Sequence, residues 1–308
     1  MSEPRPSTFD ARPLTEPVDR RQVTDFLGAV RATNPITTQS IITWVFIGVV
    51  AVLVIGGVLA TATMVFVISS QVSTVEPVAF WPVLLVLAVA ALIGAFAVVR
   101  LRLARVERYR LARFAAANNM VYLDQVDDPP LPGMIFDRGS RRRSTSLVRG
   151  YEPRFVEFAN YQYTVSSGED SKTHHWGYVA VKLDVPLPNI VLDAVGNNGL
   201  GSNLPSSFAK DQRLSLEGDF DDFFRLYCPS GYGADALYLF TPDIMARFID
   251  HAAELDVEIV DDWMFLYTQR PVSTTDPATW EWLFGVVGAL MTKFDQWARW
   301  RDERMPAT

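Results

Sequence analysis

The sequence predicts an α+β cytosolic domain with a mainly antiparallel sheet, attached to a two-helix transmembrane hairpin. Two long uncharged apolar runs near the N-terminus predict the hairpin. A series of strand patterns that precedes the helical ones predicts the α+β domain. Arginines clustered beside the apolar runs set the expected orientation.

Composition bounds these expectations. The 308 residues are 49% hydrophobic and 20% charged, with a mean hydropathy of +0.11. That profile excludes a disordered chain, a collagen-like fibre and a disulfide-rich mini-protein. The net charge of −7 is unevenly spread. Residues 1–113 carry 11 basic and 7 acidic residues, whereas residues 114–308 carry 17 basic and 28 acidic. An acidic globular part argues against nucleic acid as its partner.

Residues 1–40 are rich in Pro, Ser, Thr and mixed charge. They read as a mostly disordered cytoplasmic tail with a short helix around Thr24 to Arg31. Ile41 to Ser69 has no charged residue, and about 20 residues suffice to cross a bilayer core. Pro77 to Val99 is a second uncharged run, and the short connector makes 41–69 and 77–99 an antiparallel pair within 41–99. The first run follows too long a polar segment to be a signal peptide. Gly56 with Ala60, and Ala90 with Gly94, have the small-xxx-small spacing that lets helices approach closely. Trp44 and Trp81 lie near span ends, where interfacial anchors sit.

The connector has no Arg or Lys, whereas Arg100, Arg102, Arg105, Arg108, Arg110 and Arg113 follow the second run directly. The excess of cations places both termini in the cytoplasm of a bacterial inner (cell) membrane. The single Cys228 agrees with a reducing compartment. Residues 100–119 read as a basic juxtamembrane helix continuing the second span. Its arginines are expected to contact anionic headgroups, each contributing about 1 kcal/mol near the surface.

Residues 120–308 form the globular domain. Arg154 to Val165 and His175 to Val185 alternate polar and apolar residues around a polar link, Ser166 to Thr173, and predict a β-hairpin. Further strands are expected at Ile190 to Asp193, Arg213 to Glu217, Ala236 to Phe240 and Val257 to Tyr267, the last turning at Asp261–Asp262. Asp219 to Tyr227 reads as a short helix. Thr241-Pro242-Asp243 has the signature of a helix start, with Thr as cap, and that helix is expected to run to about Leu255. A final amphipathic helix covers Pro277 to Arg301. Its stripe of Trp280, Trp282, Trp297 and Trp300 suits either the headgroup region or the cover of a core, and the second is the commoner use of such helices.

Candidate chemistry is sparse. His174 and His175 are adjacent on a strand and point to opposite faces, so both cannot easily ligate one metal. His251 sits on a helix beside Asp250 and Glu254. Glu217, Asp219, Asp221 and Asp222 form an acidic cluster without the spacing of a calcium loop, and Asp219 fits a helix N-cap. Gly196 to Asn203 is a small-residue loop lacking the lysine of a P-loop and the helix start of a dinucleotide fingerprint. It reads as a connector. Arg138, Arg141, Arg142, Arg143 and Arg149 extend the basic collar. No cofactor or metal site is expected.

The segment Leu214 to Tyr267 resembles a family of uncharacterised bacterial, actinobacterial-type two-span membrane proteins with a cytosolic domain of unknown function. The residues that carry this are Leu216, Glu217, Phe220 and Phe224, then Phe240, Thr241, Pro242 and Met245, with Phe240 in place of the usual Leu. The resemblance implies the architecture and no activity. The expected role is a membrane-anchored binding or scaffold module whose partners are the lipid bilayer and a protein partner or second copy of the chain, as a homo-oligomer. The alternative is an enzyme, with or without a metal ion, acting on a membrane or envelope substrate through His174 or His175 with Glu217.

Overall fold

The computed structural model describes residues 9–33, 56–57, 63–64, 67, 81–168, 170–187, 189–198, 202–205, 213–216, 218–228, 233, 236–237 and 240–304. For 29–33, 81–87, 293 and 295–304 it describes the backbone. The chain divides into two compact units, residues 17–109 and residues 1–16 with 110–308.

The larger unit is built on an antiparallel sheet. Its strands are β1 (Val121–Asp127), β2 (Ser140–Gly150), β3 (Val156–Ser167), β4 (Asp170–Lys182), β5 (Ile190–Ala194), β6 (Arg213–Leu214), β7 (Phe224–Tyr227), β8 (Asp256–Val260) and β9 (Trp263–Thr268). They lie in the order β1-β2-β3-β4-β9-β8-β5-β7-β6. Helices bounded within the described residues include α1 (Arg12–Thr15), α2 (Arg20–Thr33), α3 (Trp81–Ala117), α4 (Phe220–Phe223), α5 (Pro242–Ala252) and α6 (Pro277–Arg304).

Both faces of the central strands are covered, so their sequences lose the polar alternation of a half-exposed sheet. Phe158, Val179, Val181, Met264 and Leu266 enter one core, shared with α5 and α6. Their strand neighbours Ala159, Tyr178, Ala180, Phe265 and Tyr267 enter the other, closed by Ile135, Phe136 and Leu204. The period of two sorts the residues between the cores.

The β3–β4 hairpin is tighter than the polar link predicted. Pairing continues to Ser167 opposite Asp170, and Gly168 takes a φ of +62°. A residue without Cβ adopts that conformation at no steric cost, as such turns require. The turn at Asp261–Asp262 stands as expected, with Asp261 at φ +52°.

Several expectations need correction. Ala236 and Leu237 are helical rather than part of a strand, and the Phe240 N–H donates to the Ala236 carbonyl. The expected helix Asp219 to Tyr227 is one turn, α4, followed by β7, because Phe224 and Leu226 alternate into the core on a strand. Thr241 occupies the N-cap of α5 without a side-chain capping bond, and α5 ends at Ala252. Strands β1 and β2 add to the expected set, and Arg141, Arg142, Arg143 and Arg149 hide the strand pattern of β2.

The tail is not disordered over residues 9–33, which hold α1 and α2. Leu14 is fully buried with Leu111 and Phe114. The Asp10 N–H donates to Asn118 Oδ1 at 2.7 Å, and Asn118 Nδ2 returns a bond to the Asp10 carbonyl.

Trp280 settles the use of the first turn of α6. It is fully buried, its ring lies 4.6 Å from Phe114 and 5.4 Å from Phe158, and its indole N–H donates to the Thr274 carbonyl. Leu283, Val286, Leu290 and Phe294 extend this buried stripe.

Among the described residues, no helix is long and apolar enough to cross a membrane, so the transmembrane hairpin is not shown. The run 41–69 lies almost wholly outside the described residues, as do 77–80. Trp81 to Val99 forms the start of α3, which continues without interruption through the arginine-rich segment. Val89, Leu92, Ile93, Phe96, Val98 and Val99 are exposed along it.

Candidate functional site

The smaller unit contains a groove of about 510 Å³ lined by Val18, Arg20, Val23, Thr24, Leu27 and Gly28 on one side and Arg102, Arg105 and Val106 on the other. Its two walls are α2 and α3. Phe26 and Tyr109 join them through an edge-on ring contact at 5.6 Å, and the Tyr109 hydroxyl donates to Gln22 Oε1 at 3.1 Å. The spacing of Val23 and Leu27, one helical turn apart, puts both on the inner face of α2.

The wall chemistry is sharply divided. Val23 is buried and Val18, Leu27 and Val106 are half-buried, while Arg20, Arg102 and Arg105 are exposed and bring three guanidiniums to the lining. Among the described residues, no acidic side chain lines the groove. Gly28 leaves space, since a Cβ there would meet nothing within 4 Å. Such a site suits a molecule with an anionic head, which guanidinium grips through paired N–H donors, and an apolar body. Nearby, burial pushes the Glu107 carboxyl up, against the opposing pull of Arg108.

The residues singled out in the sequence do not assemble into a catalytic set among the described residues. His174 is half-buried and stacks on Tyr163 at 5.0 Å, and burial followed by Lys172 lowers its pKa. His175 is exposed and lies opposite Gln162. His251 sits in the last turn of α5. Glu217 lies outside the described residues. In the acidic cluster, Asp221 accepts bonds from Ser215 Oγ and the Leu216 N–H, so it ties the loop before α4. No group of three or more His, Cys, Asp or Glu able to hold a metal occurs among the described residues.

Three arginines of the collar on β2 are occupied. Arg142 pairs with Asp128 at 2.6 Å, Arg143 with Asp127 at 2.8 Å, and Arg149 Nε donates to Glu157 at 2.6 Å. They fasten the edge of the sheet.

Sequence reasoning missed the buried acids. Glu157 accepts from the Tyr178 hydroxyl, and Glu258 accepts from the Tyr267 hydroxyl and the Met134 N–H. Burial raises the Glu258 pKa despite those bonds. Asp193 and Asp256 are both fully buried. Burial pushes the Asp256 carboxyl up to about 6, with the Ala194 N–H, Asn197 and Asn203 pulling the other way. The available signal was an Asp inside an otherwise apolar strand, Ile190–Ala194.

The motif residues Leu216, Phe220, Phe224 and Phe240 are all buried. Phe220 lies 5.2 Å from Phe224 and 5.8 Å from Phe240, and both Phe224 and Phe240 meet Phe248. These residues are an aromatic core that seats α5, which accounts for their pattern without an activity.

No family model matches the chain, and no curated protein matches it. Among solved structures it is similar to the crystal structure of the mycobacterial trehalose monomycolate transport factor A. The identity is 12%, covering 60% of this chain and 90% of that chain, with a TM-score of 0.40. A likeness at that level carries no argument about what this chain does.

Proposed function

We propose that this protein is a membrane-anchored, non-catalytic binding module. Residues 41–69 and 77–99 are its two-span anchor, with both termini in the cytoplasm, and the groove between α2 and α3 binds an anionic amphiphile at the membrane surface. The observation that carries this reading is the groove itself, lined by buried and half-buried apolar side chains and by the exposed Arg20, Arg102 and Arg105. Its position in the chain supports it. Arg102 follows the uncharged run by a few residues, and Val89, Leu92, Ile93 and Phe96 on the same helix are large, apolar and exposed. Apolar side chains bared to that extent call for a partner of matching polarity, and lipid tails supply it. The sheet domain then stands as the surface for a protein partner or a second copy.

The chain purified in mild detergent from bacterial membranes tests this by native mass spectrometry. It should retain phosphatidylglycerol, and replacing Arg20, Arg102 and Arg105 with Gln should remove it. Equal retention by wild type and the triple variant refutes the groove reading. Reporter fusions at the C-terminus should be active in the cytoplasm, and periplasmic activity there refutes the orientation.

A further inference from the structure

A second site lies at the far end of the sheet, where β5 and β8 run antiparallel. Ile190 pairs with Ile259, Val191 with Glu258 and Leu192 with Val257. One more step in that register sets Asp193 directly across from Asp256, and opposed residues share a face with Cα atoms about 4.5–5.5 Å apart. Both residues are fully buried. Two carboxylates placed this way repel unless something positive joins them.

The surrounding bonds satisfy only half of each carboxyl group. The Ala194 N–H donates to Asp256 Oδ1 at 2.9 Å, and Asn198 Nδ2 donates to Asp193 Oδ1 at 2.8 Å. Among the described residues, Asp193 Oδ2, Asp256 Oδ2, Asn197 Oδ1 and both side-chain polar atoms of Asn203, Oδ1 and Nδ2, are buried without a hydrogen-bond partner. Asn197 and Asn203 stand near enough to Asp256 to favour its charged form, yet neither makes a well-formed bond to Oδ2. Arg225 is the neighbouring cation, but its Nη1 is 3.9 Å from Asp193 Oδ2 and the guanidinium is partly exposed. That contact is too long for a hydrogen bond and leaves the oxygen unsatisfied.

Buried orphan oxygens on this scale cost about 1–3 kcal/mol each or more. All four are hard oxygen donors, two of them anionic. We propose that Asp193, Asp256, Asn197 and Asn203 hold a hard divalent cation, Ca²⁺ or Mg²⁺, with water completing its shell. The two carboxylates balance its charge, and Asn198 positions the site by bonding both Asp193 and the Asn203 N–H. The cation fastens the loop after β5 to the start of β8. This assignment is independent of the groove and of its ligand.

The full chain in detergent, stripped with EDTA, is titrated with CaCl₂ and separately with MgCl₂ by calorimetry and by thermal unfolding. One cation per chain and a raised unfolding midpoint are expected with at least one of the two metals. Asp256→Asn and Asn203→Ala should each weaken binding by about tenfold or more, whereas Asp222→Asn, on α4, should bind as wild type. Asn203 lies on a partly exposed loop, so its variant serves even where Asp256→Asn fails to fold. Absence of binding to both metals up to about 10 mM overturns the assignment. So does unchanged affinity in Asn203→Ala, which would place the cation away from these four residues.

Discussion

The Tyr178 hydroxyl donates a 2.6 Å hydrogen bond to Glu157 Oε1 inside the second core of the sheet. Tyr178 pairs across β4 and β9 with Tyr267, whose hydroxyl donates to Glu258 at the same distance. Two tyrosines in register thus each satisfy one buried acid, and Ser144 Oγ completes the first pair at 2.9 Å from the Tyr178 hydroxyl. The arrangement admits acids to an apolar layer because nearly every polar atom there has a partner. Tyr178→Phe keeps the ring and removes the donor. It should lower stability by about 1–3 kcal/mol, read from the midpoint of urea unfolding. Tyr178→Phe in a Glu157→Gln background should cost less than in the wild type, since the two residues share one network.

Gly177, beside it, predicts a steric effect of another kind. A Cβ there would lie 2.3 Å from the Arg270 carbonyl oxygen and 2.9 Å from the Val272 backbone nitrogen. Both neighbours are backbone and cannot rotate away. Gly177→Ala should displace the segment after β9 and destabilise the domain by about 1–3 kcal/mol. Gly28→Ala, with open space at its Cβ, should instead be neutral or stabilising by up to about 1 kcal/mol, as expected in a helix. The two alanine variants compared by thermal unfolding check the contrast.

Trp280 makes the role of α6 measurable. Its ring joins Phe114 and Phe158, and its N–H is satisfied by Thr274. Trp280→Ala should cost about 3–5 kcal/mol, and Trp280→Phe less, in urea unfolding followed by circular dichroism. A change no greater than about 0.5 kcal/mol, the usual range for surface substitutions, would contradict its burial.

These residues also show what could be read in advance. The β3–β4 hairpin was legible because RFVEFANYQYTV and HWGYVAVKLDV concentrate aromatic and branched residues between turn signals. The core face of α5 and the start of α6 were legible from helical spacing. Strand β2 was not, because SRRRSTS looks like a solvated charge run. Its arginines are held by Asp127, Asp128 and Glu157, two of them on other strands, and no local pattern reveals such pairs. The strand read into Ala236 to Phe240 failed because a short apolar run fits either period. The Asp193–Asp256 pair was hidden for the same reason as β2, since only the sheet register brings the two together. The groove needed α2, whose polar composition masked the Val23–Leu27 stripe.

The N-terminal segment gives a pH-dependent prediction. Hydrogen bonds from the Arg12 side chain and backbone hold the half-buried Asp10 carboxyl at about 2, below its ordinary 3.8. A depressed carboxyl stabilises the fold above its unfolded pKa, and that contribution is lost as pH falls through the folded value. The window for Asp10 therefore runs from about 3.8 down to about 2. The Asp10 backbone is bonded to Asn118, and Leu14 is buried four residues on. Protonation should loosen α1 before the sheet unfolds. Amide exchange should show the Leu14 and Glu16 N–H groups, bonded to Ala11 and Arg12, losing protection across that window while Val179 and Phe265 stay protected. Asp10→Asn should abolish the pH dependence of this local opening and leave it present at neutral pH. Leu14→Ala should destabilise the whole domain by about 2–5 kcal/mol, because Leu14 shares its core with Leu111 and Phe114. Simultaneous loss of protection at Leu14 and Val179 on acidification would refute local release and leave a single cooperative unit.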